Sequence, residues 1–285
     1  MRVLVTGAAG QLGLDVVAAW TAAGDDVAAL SRAALDVSDR DAVLAAVTSV
    51  RPDVVVHTAA WTAVDACEGD PERAHLVNAT AVRWVAEACH RVDAHLVHVS
   101  TDYVFDGTLD RPYLEYDATG PRSVYGASKL AGESEALALG PAASVVRTSW
   151  VCGAHGSNMV KTVMRLAAER PELAFVDDQV GHPTFTQDLA PLLRRIALDR
   201  LSGVVHATNQ GACSWYEFAR EVVAATGRDP GMVRPIATAD LQPPRPAPRP
   251  ANSVLDNAVL RSAGIPLLRD FREPLAETVQ RLSSR

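Results

Sequence analysis

The chain has 285 residues, with 27 basic and 34 acidic side chains, a formal net charge of -7, and 48% hydrophobic against 21% charged residues. This composition excludes a disordered chain and suits one large α/β domain with a smaller lobe. The negative charge argues against nucleic acid or an anionic membrane as partner. No apolar run approaches the ~20 residues of a bilayer span, and the start MRVLVTG has no signal-peptide layout, so a cytoplasmic location is expected.

The first half alternates strand and helix patterns. Strand 2–6 (RVLVT) runs directly into Gly7, Gly10, Gln11, Leu12 and Gly13, which open a helix over 11–23. Glycine allows a tight turn and lets backbone N–H groups approach a pyrophosphate, whose charge the helix N-terminus favours. The spacing is GxxGxxG, and its place after the first strand marks a dinucleotide site. Strand 26–30 ends at Ser31-Arg32. A hydroxyl and a guanidinium there suit the 2′-phosphate of NADP, where an acidic residue would hold the ribose of NAD. NADPH is therefore expected, with NADH the alternative. Asp36-Val37 follows; Asp36 either accepts from the adenine amino group or caps the helix over 39–49. After strand 53–57, the small residues Thr58-Ala59-Ala60 let a cofactor pass close by. Asn78 lies in a helix expected over 72–91, as a polar bridge or as part of a proton relay.

Strand 95–99 leads into Ser100-Thr101-Asp102-Tyr103-Val104-Phe105-Asp106-Gly107. Ligands of doubly wound sheets sit beyond the carboxyl ends of the strands, so a hydroxyl here would align a substrate oxygen. Thr101 is the first choice and Ser100 the second; Asp102 supplies protons or holds the loop. The helix over 122–138 carries Tyr125 and Lys129, four residues apart and on one face. An ammonium there would favour phenolate, lower the tyrosine pKa and ease proton delivery, and Lys129 would also hold the nicotinamide ribose. The chain has only two lysines, Lys129 and Lys161, so this spacing is informative. Strand 144–148 completes the alternation, which implies right-handed crossovers and a parallel sheet.

Beyond 150 the rhythm loosens, with helices near 156–169, 187–199 and 214–226 and strands at 173–176 and 203–207. The stretch Pro243–Pro250 (PPRPAPRP) must be extended, as a surface linker or as a loop presenting Arg245 and Arg249 to an anion. The expected fold is α/β: a Rossmann-like doubly wound parallel sheet with a smaller C-terminal substrate-binding lobe. Residues 1–150 would form the NADP-binding domain, parts of 175–210 would return to it, and 151–285 would be mainly the lobe. Cys67, Cys89, Cys152 and Cys213 show no CxxC spacing and are expected as reduced thiols.

The glycine loop, the Ser-Thr-Asp-Tyr-Val-Phe segment and the Tyr-x-x-x-Lys pair together resemble the extended short-chain dehydrogenase/reductase superfamily. Pro52–Val56 with Ala59-Ala60, Thr62–Asp65, Asn78-Ala79, Arg147–Val151, Asp178–Gly181 with Pro183-Thr184, and Arg249-Pro250-x-Asn252-Ser253 narrow the resemblance to the dTDP-4-dehydrorhamnose reductase family, almost end to end. That resemblance implies reduction by NADPH of the C4 ketone of a dTDP-4-keto-6-deoxy sugar, giving dTDP-L-rhamnose. Tyr125 would protonate the ketone oxygen, Thr101 orient it, and Lys129 hold the nicotinamide ribose. Asp102 and Tyr103 would border the substrate and Trp150 would wall its pocket. Asn158, Lys161, Arg245 and above all Arg249 would meet the diphosphate. Trp61, Cys152 and His182 depart from the family's usual residues where the sugar is expected, and so bear on which sugar is used. Related members reduce other dTDP-4-keto sugars in antibiotic pathways, dihydrostreptose formation among them. Some dimerise through acidic residues and Mg²⁺; Asp15 is the residue to consider here, but one aspartate does not make a site and no metal is predicted. A monomer or homodimer is expected. The alternatives are an NAD-retaining nucleotide-sugar epimerase or dehydratase, and a non-catalytic NADP-binding regulatory subunit.

Overall fold

The structure is a computed structural model describing residues 1–284. Six parallel strands form its central sheet: β1 (Arg2–Thr6), β2 (Asp26–Leu30), β3 (Val54–His57), β4 (His95–Thr101), β5 (Ala143–Thr148) and β6 (Gly203–His206), in the order β6-β5-β4-β3-β1-β2. Consecutive side chains leave a strand on opposite faces. Val3, Val5, Val54, Val56, Val97 and Val146 thus enter one core, and Leu4, Val55, Leu96 and Val145 the other. A parallel sheet needs both faces covered. The longer helices are α1 (Gln11–Ala22), α2 (Arg40–Val50), α3 (Ala81–Val92), α4 (Val124–Leu137), α5 (Met159–Glu169), α6 (Thr186–Leu198), α7 (Trp215–Ala225) and α8 (Arg272–Ser283). Helices α1 and α6 cover the first face, where Trp20 Nε1 donates to the Ala190 carbonyl at 2.9 Å. Helices α2 and α3 cover the second.

A separate core joins α5, α7 and α8 around Phe185, Phe218 and Phe271, beside the parallel pair Leu173–Val176 and Val233–Ile236. Helices Ala258–Ser262 and α8 and the strand Val233–Ile236 extend beyond the elements expected from sequence. The α/β fold with its parallel sheet is the expected one.

The strand order reverses between β1 and β3. Their carboxyl ends therefore hold the glycine loop and Thr58–Trp61 side by side, the geometry of a ligand crevice. The helix expected over 72–91 is interrupted. Short helices Val64–Gly69 and Pro71–His75 lead into a five-residue π segment, Leu76–Thr80, and only then α3. Such bulges are frequent at functional sites. This one presents the Asn78 amide to two partners: Oδ1 accepts from Trp61 N (2.8 Å), and Nδ2 donates to Trp61 O and Ser128 Oγ (both 3.0 Å). Asn78 is a polar bridge between the loop after β3 and α4.

Helix α4 is seated very closely. A Cβ on Gly126 would run into the Tyr103 carbonyl, and one on Gly132 into the Asn78 carbonyl. Beneath it, buried Glu133 receives Arg147 Nε at 2.8 Å and Nη2 at 2.7 Å from β5, and Ser100 Oγ at 2.5 Å from β4. Glu133→Ala would leave the Arg147 charge buried and unpaired, a loss of about 3–5 kcal/mol. Urea denaturation should show a correspondingly lower midpoint; an unchanged midpoint would show that the pair does not hold the helix.

Candidate active site

Three neighbouring cavities follow the carboxyl edge of the sheet. The first, about 340 Å³, is bounded by Gly7, Gly10, Arg32, Asp36, Val37, Ala59, Ala60, Trp61 and Arg73. Gly7 holds φ +67°, and a Cβ there would come within 2.8 Å of Ala59 N. Only glycine fits that turn. Gly10 N–H donates to Gly7 O at 2.8 Å, and Gly10 caps α1 with no side chain of its own, leaving the approach to the helix N-terminus open. Gly13 has a packing role, since a Cβ would collide with Gly7 O and Ala8 Cα. Asp36 accepts from Ser38 N (3.0 Å) and Oγ (2.7 Å), which hold its carboxyl below the usual range. Ser31 lies beside this lining, its carbonyl accepting from Ala34 N and Leu35 N.

The second cavity, about 440 Å³, brings together Gln11, Leu12, Thr101, Asp102, Tyr103, Tyr125, Lys129, Thr148, Trp150 and Trp215. Tyr125 and Thr101 border this cavity together, and the Tyr125 ring meets Tyr103 edge-on with centroids 5.5 Å apart. The electrostatics correct one expectation. Burial pushes the Tyr125 hydroxyl above its usual range, with the neighbouring Thr101 side chain opposing. Lys129 does not reverse this, because its ammonium donates to the Val99 carbonyl at 2.7 Å. Burial lowers Lys129 to about 8, against the pull of Glu133. Behind it lie His98, whose Nε2 is 3.5 Å from Nζ, and His57, stacked on His98 at 5.5 Å and bonded to Thr6 at 2.7 Å. Burial drives both imidazoles far down, His57 to about 3, so the ammonium faces neutral rings.

Ser100, the second-choice hydroxyl, also borders this cavity, but its hydroxyl is engaged as a donor to buried Glu133. Thr101 points the other way and donates to Asp102 Oδ1 at 2.9 Å. Asp102 Oδ2 and Thr148 Oγ1 are buried at this cavity without a partner among the described residues, and polar atoms of this kind call for an explanation such as a ligand. Burial pushes Asp102 up to about 6, against the hydrogen bond from Thr101. Trp150 adopts φ +45° and stacks on Trp215 with centroids 3.5 Å apart. Sequence reading missed Trp215, although Ser214 and Glu217 form a capping box that marks the start of α7.

The third cavity, about 300 Å³, lies between Tyr103, Phe175, Gln179, Trp215, Arg245 and Arg249. Here the structure answers the question of the Pro/Arg-rich loop: Arg249 meets an internal anion, Asp65, at 2.5 and 2.7 Å, and Arg245 lies 3.5 Å from the same carboxylate. Arg249 accordingly holds Asp65 down at about 2. Asn158 departs from its expected substrate role. Its Oδ1 caps α5 through Lys161 N, while Nδ2 donates to Gln11 Oε1 and Gly153 O, both at 2.7 Å. Both ends of the amide are consumed in fixing the lobe to α1. Lys161 Nζ donates to Gly156 O at 2.8 Å. Asp15 accepts from the Thr186 hydroxyl and lies 3.7 Å from His155 Nε2.

The model of the RmlD substrate binding domain family matches residues 1–284. The chain belongs to the RmlD substrate binding domain family. It is 44% identical to a dTDP-4-dehydrorhamnose reductase of Streptomyces griseus, over 100% of this chain and 95% of the relative. It is 46% identical to a probable dTDP-4,6-dihydroxy-2-methyloxan-3-one 4-ketoreductase of Streptomyces antibioticus, over 97% and 94%. Among solved structures it is similar to a Bacillus anthracis dTDP-4-dehydrorhamnose reductase in complex with NADP, with TM-score 0.94, 36% identity, and 98% and 99% of the two chains covered. In this member of the RmlD family, the glycine cradle that a Cβ would fill and the helix start above it fit a dinucleotide.

The raised Asp102 pKa has a thermodynamic consequence. An acid whose folded pKa, about 6, exceeds its ordinary value of 3.8 favours the folded state most below 3.8 and loses that contribution as pH rises through 6. Asp102→Asn should therefore stabilise the protein at pH 7.5, by up to about 2–3 kcal/mol, and the gain should vanish near pH 3.5. Thermal melts of both proteins across this range check it; a variant less stable at pH 7.5 would contradict it.

Proposed function

We propose that the protein reduces the C4 ketone of a dTDP-4-keto-6-deoxyhexose with NADPH, and that dTDP-4-dehydrorhamnose, reduced to dTDP-L-rhamnose, is the substrate. The observation that carries this reading is the convergence of Tyr125, Thr101 and Lys129 on one cavity that continues into the glycine cradle. NADPH supplies the hydride that arrives at C4. Gly7, Gly10 and the N-terminal turn of α1 hold its pyrophosphate. Arg32 meets the 2′-phosphate, Ala59 and Ala60 leave room for the chain of the cofactor, and Lys129 binds the nicotinamide ribose.

Tyr125 donates its proton to the ketone oxygen, and Thr101 fixes that oxygen by a hydrogen bond. A phenol whose pKa burial keeps high is fully protonated before the reaction, as a general acid requires. With its ammonium held at the Val99 carbonyl, Lys129 serves the ribose rather than the Tyr125 phenolate. Trp150 and Trp215 wall the sugar, while Tyr103 and Arg249 border the nucleotide diphosphate at the third cavity. For Arg249 to serve the diphosphate it must share its fork with Asp65, so its role is orientation more than net charge. By this assignment residues 1–150 with α6 and β6 carry the cofactor, and most of 151–285 carries the sugar nucleotide.

Trp215 and Phe175, lobe-side residues that the reducing groups do not depend on, would set which sugar is taken. The choice is settled by incubating the protein with NADPH and individual dTDP-4-keto sugars, following absorbance at 340 nm and identifying products by NMR. Tyr125→Phe should lower turnover by roughly 10²–10⁴ and leave nucleotide binding nearly unchanged. A near-normal rate would remove Tyr125 from its role, and no oxidation with any epimer would reject the reductase reading.

A further inference from the structure

The cofactor end of the first cavity contains a second cation. Arg73 comes from the short helix Pro71–His75, after β3, and borders the same cavity as Arg32, which follows β2. The two guanidinium groups therefore approach the cavity from opposite sides of the strand-order reversal. Neither is held in an ion pair among the described residues, unlike the arginines that brace the fold. Arg147 is taken by Glu133, Arg249 by Asp65 and Arg194 by Asp25. Among the described residues no carboxylate stands within ion-pair distance of Arg32 or Arg73.

Arg73 is held instead by an aromatic face, its guanidinium carbon lying 4.5 Å from the Trp61 ring centroid. Cation–π attraction fixes the group while leaving its N–H donors unused. Trp61 is itself fixed, since Asn78 bonds both its N–H and its carbonyl. Asp36, a carboxylate that feels both arginines, is already bonded twice by Ser38. The cavity thus holds two uncommitted planar forks at the end away from Tyr125, and planar forks suit phosphate.

We infer that Arg73, positioned by Trp61, acts with Arg32 as a two-sided clamp on the 2′-phosphate of NADP, so that the loop after β3 helps set cofactor preference. This rests on the dinucleotide reading above and adds a residue to it. The contact discriminates between cofactors because NAD carries a free hydroxyl where NADP carries the phosphate. Removing one fork leaves the other, so affinity falls without being abolished.

The test uses binding alone, without sugar or turnover. Isothermal titration with 2′,5′-ADP and with ADP compares a nucleotide that has the 2′-phosphate with one that lacks it. Arg73→Met should weaken 2′,5′-ADP roughly ten- to a hundredfold and change ADP less than about twofold. Trp61→Leu, which frees the guanidinium but keeps it, should give a smaller loss of the same selectivity. Equal weakening of both nucleotides by Arg73→Met would show that Arg73 packs on adenine, and would overturn the inference, as would no change in either. If the unaltered protein bound neither nucleotide, the dinucleotide reading would fall and this inference with it.

Discussion

The site depends on a charge pair that is itself out of reach of any substrate. Glu133 and Arg147 are almost fully buried, at 2% and 4% exposure, where removing two charges from water is costly. The cost is offset because the hydrogen-bonding capacity is used. Arg147 meets both carboxylate oxygens, Ser100 adds a donor, and the guanidinium lies 5.0 Å from the Phe105 ring centroid. The result is a rivet through β4, β5 and α4. Lys129 and Tyr125 lie one and two turns before Glu133 on that helix, so the depth and rotation of both are set by it. The Gly126 and Gly132 approaches fix the same helix laterally. A proton donor must be placed to a fraction of an ångström to work, and here the placement comes from packed structure beneath the site.

The rivet also explains the division of labour among adjacent hydroxyls. Side chains alternate along β4, so Ser100 and Thr101 leave the strand on opposite faces although both border the cavity. With His98 and Ser100 turned toward α4, Thr101 is left for the ligand side. The same side of the sheet carries Thr148, which is the register partner of Thr101 on β5. Charge is arranged with similar economy. The neutral His57 and His98 rings add no second cation beside Lys129, which would lower its pKa still further.

Much of this was legible in the sequence for a physical reason: short apolar strands buried on both faces, glycine immediately after the first of them, and Tyr125 four residues before Lys129 are all local signals. What escaped was set by distant partners. That Ser100 donates to Glu133 depends on which face α4 covers. Arg249 finds Asp65 across 184 positions, and Asn158 finds Gln11 across 147; a guanidinium or amide in isolation looks equally suited to a ligand. The π segment at Asn78 is a response to packing against α4, so periodicity extends the helix straight through it. The pKa of Tyr125 was expected to follow its nearest cation along the helix, but depth of burial and the Val99 carbonyl decide where that cation acts.

The same contrast separates reaction type from substrate choice. Thr101, Tyr125 and Lys129, the groups proposed to reduce the ketone, stand on β4 and α4, tied to the sheet by the Glu133 rivet. The sugar-side wall is built otherwise. Trp150 leaves β5 with a left-handed backbone, a conformation that costs a non-glycine residue on the order of 1–3 kcal/mol. It is held there by the Trp215 ring from α7, and by Gly181, where any Cβ would strike the indole. Strain of this kind persists only where neighbours over-determine it, and these neighbours belong to the lobe. Changes in α7 or around Gly181 can therefore move Trp150, the proposed sugar wall, while Tyr125, the proposed proton donor, keeps its place. A single scaffold built this way can keep ketone reduction fixed and vary the sugar, which fits a family whose relatives bear the names of different 4-keto sugar reductases.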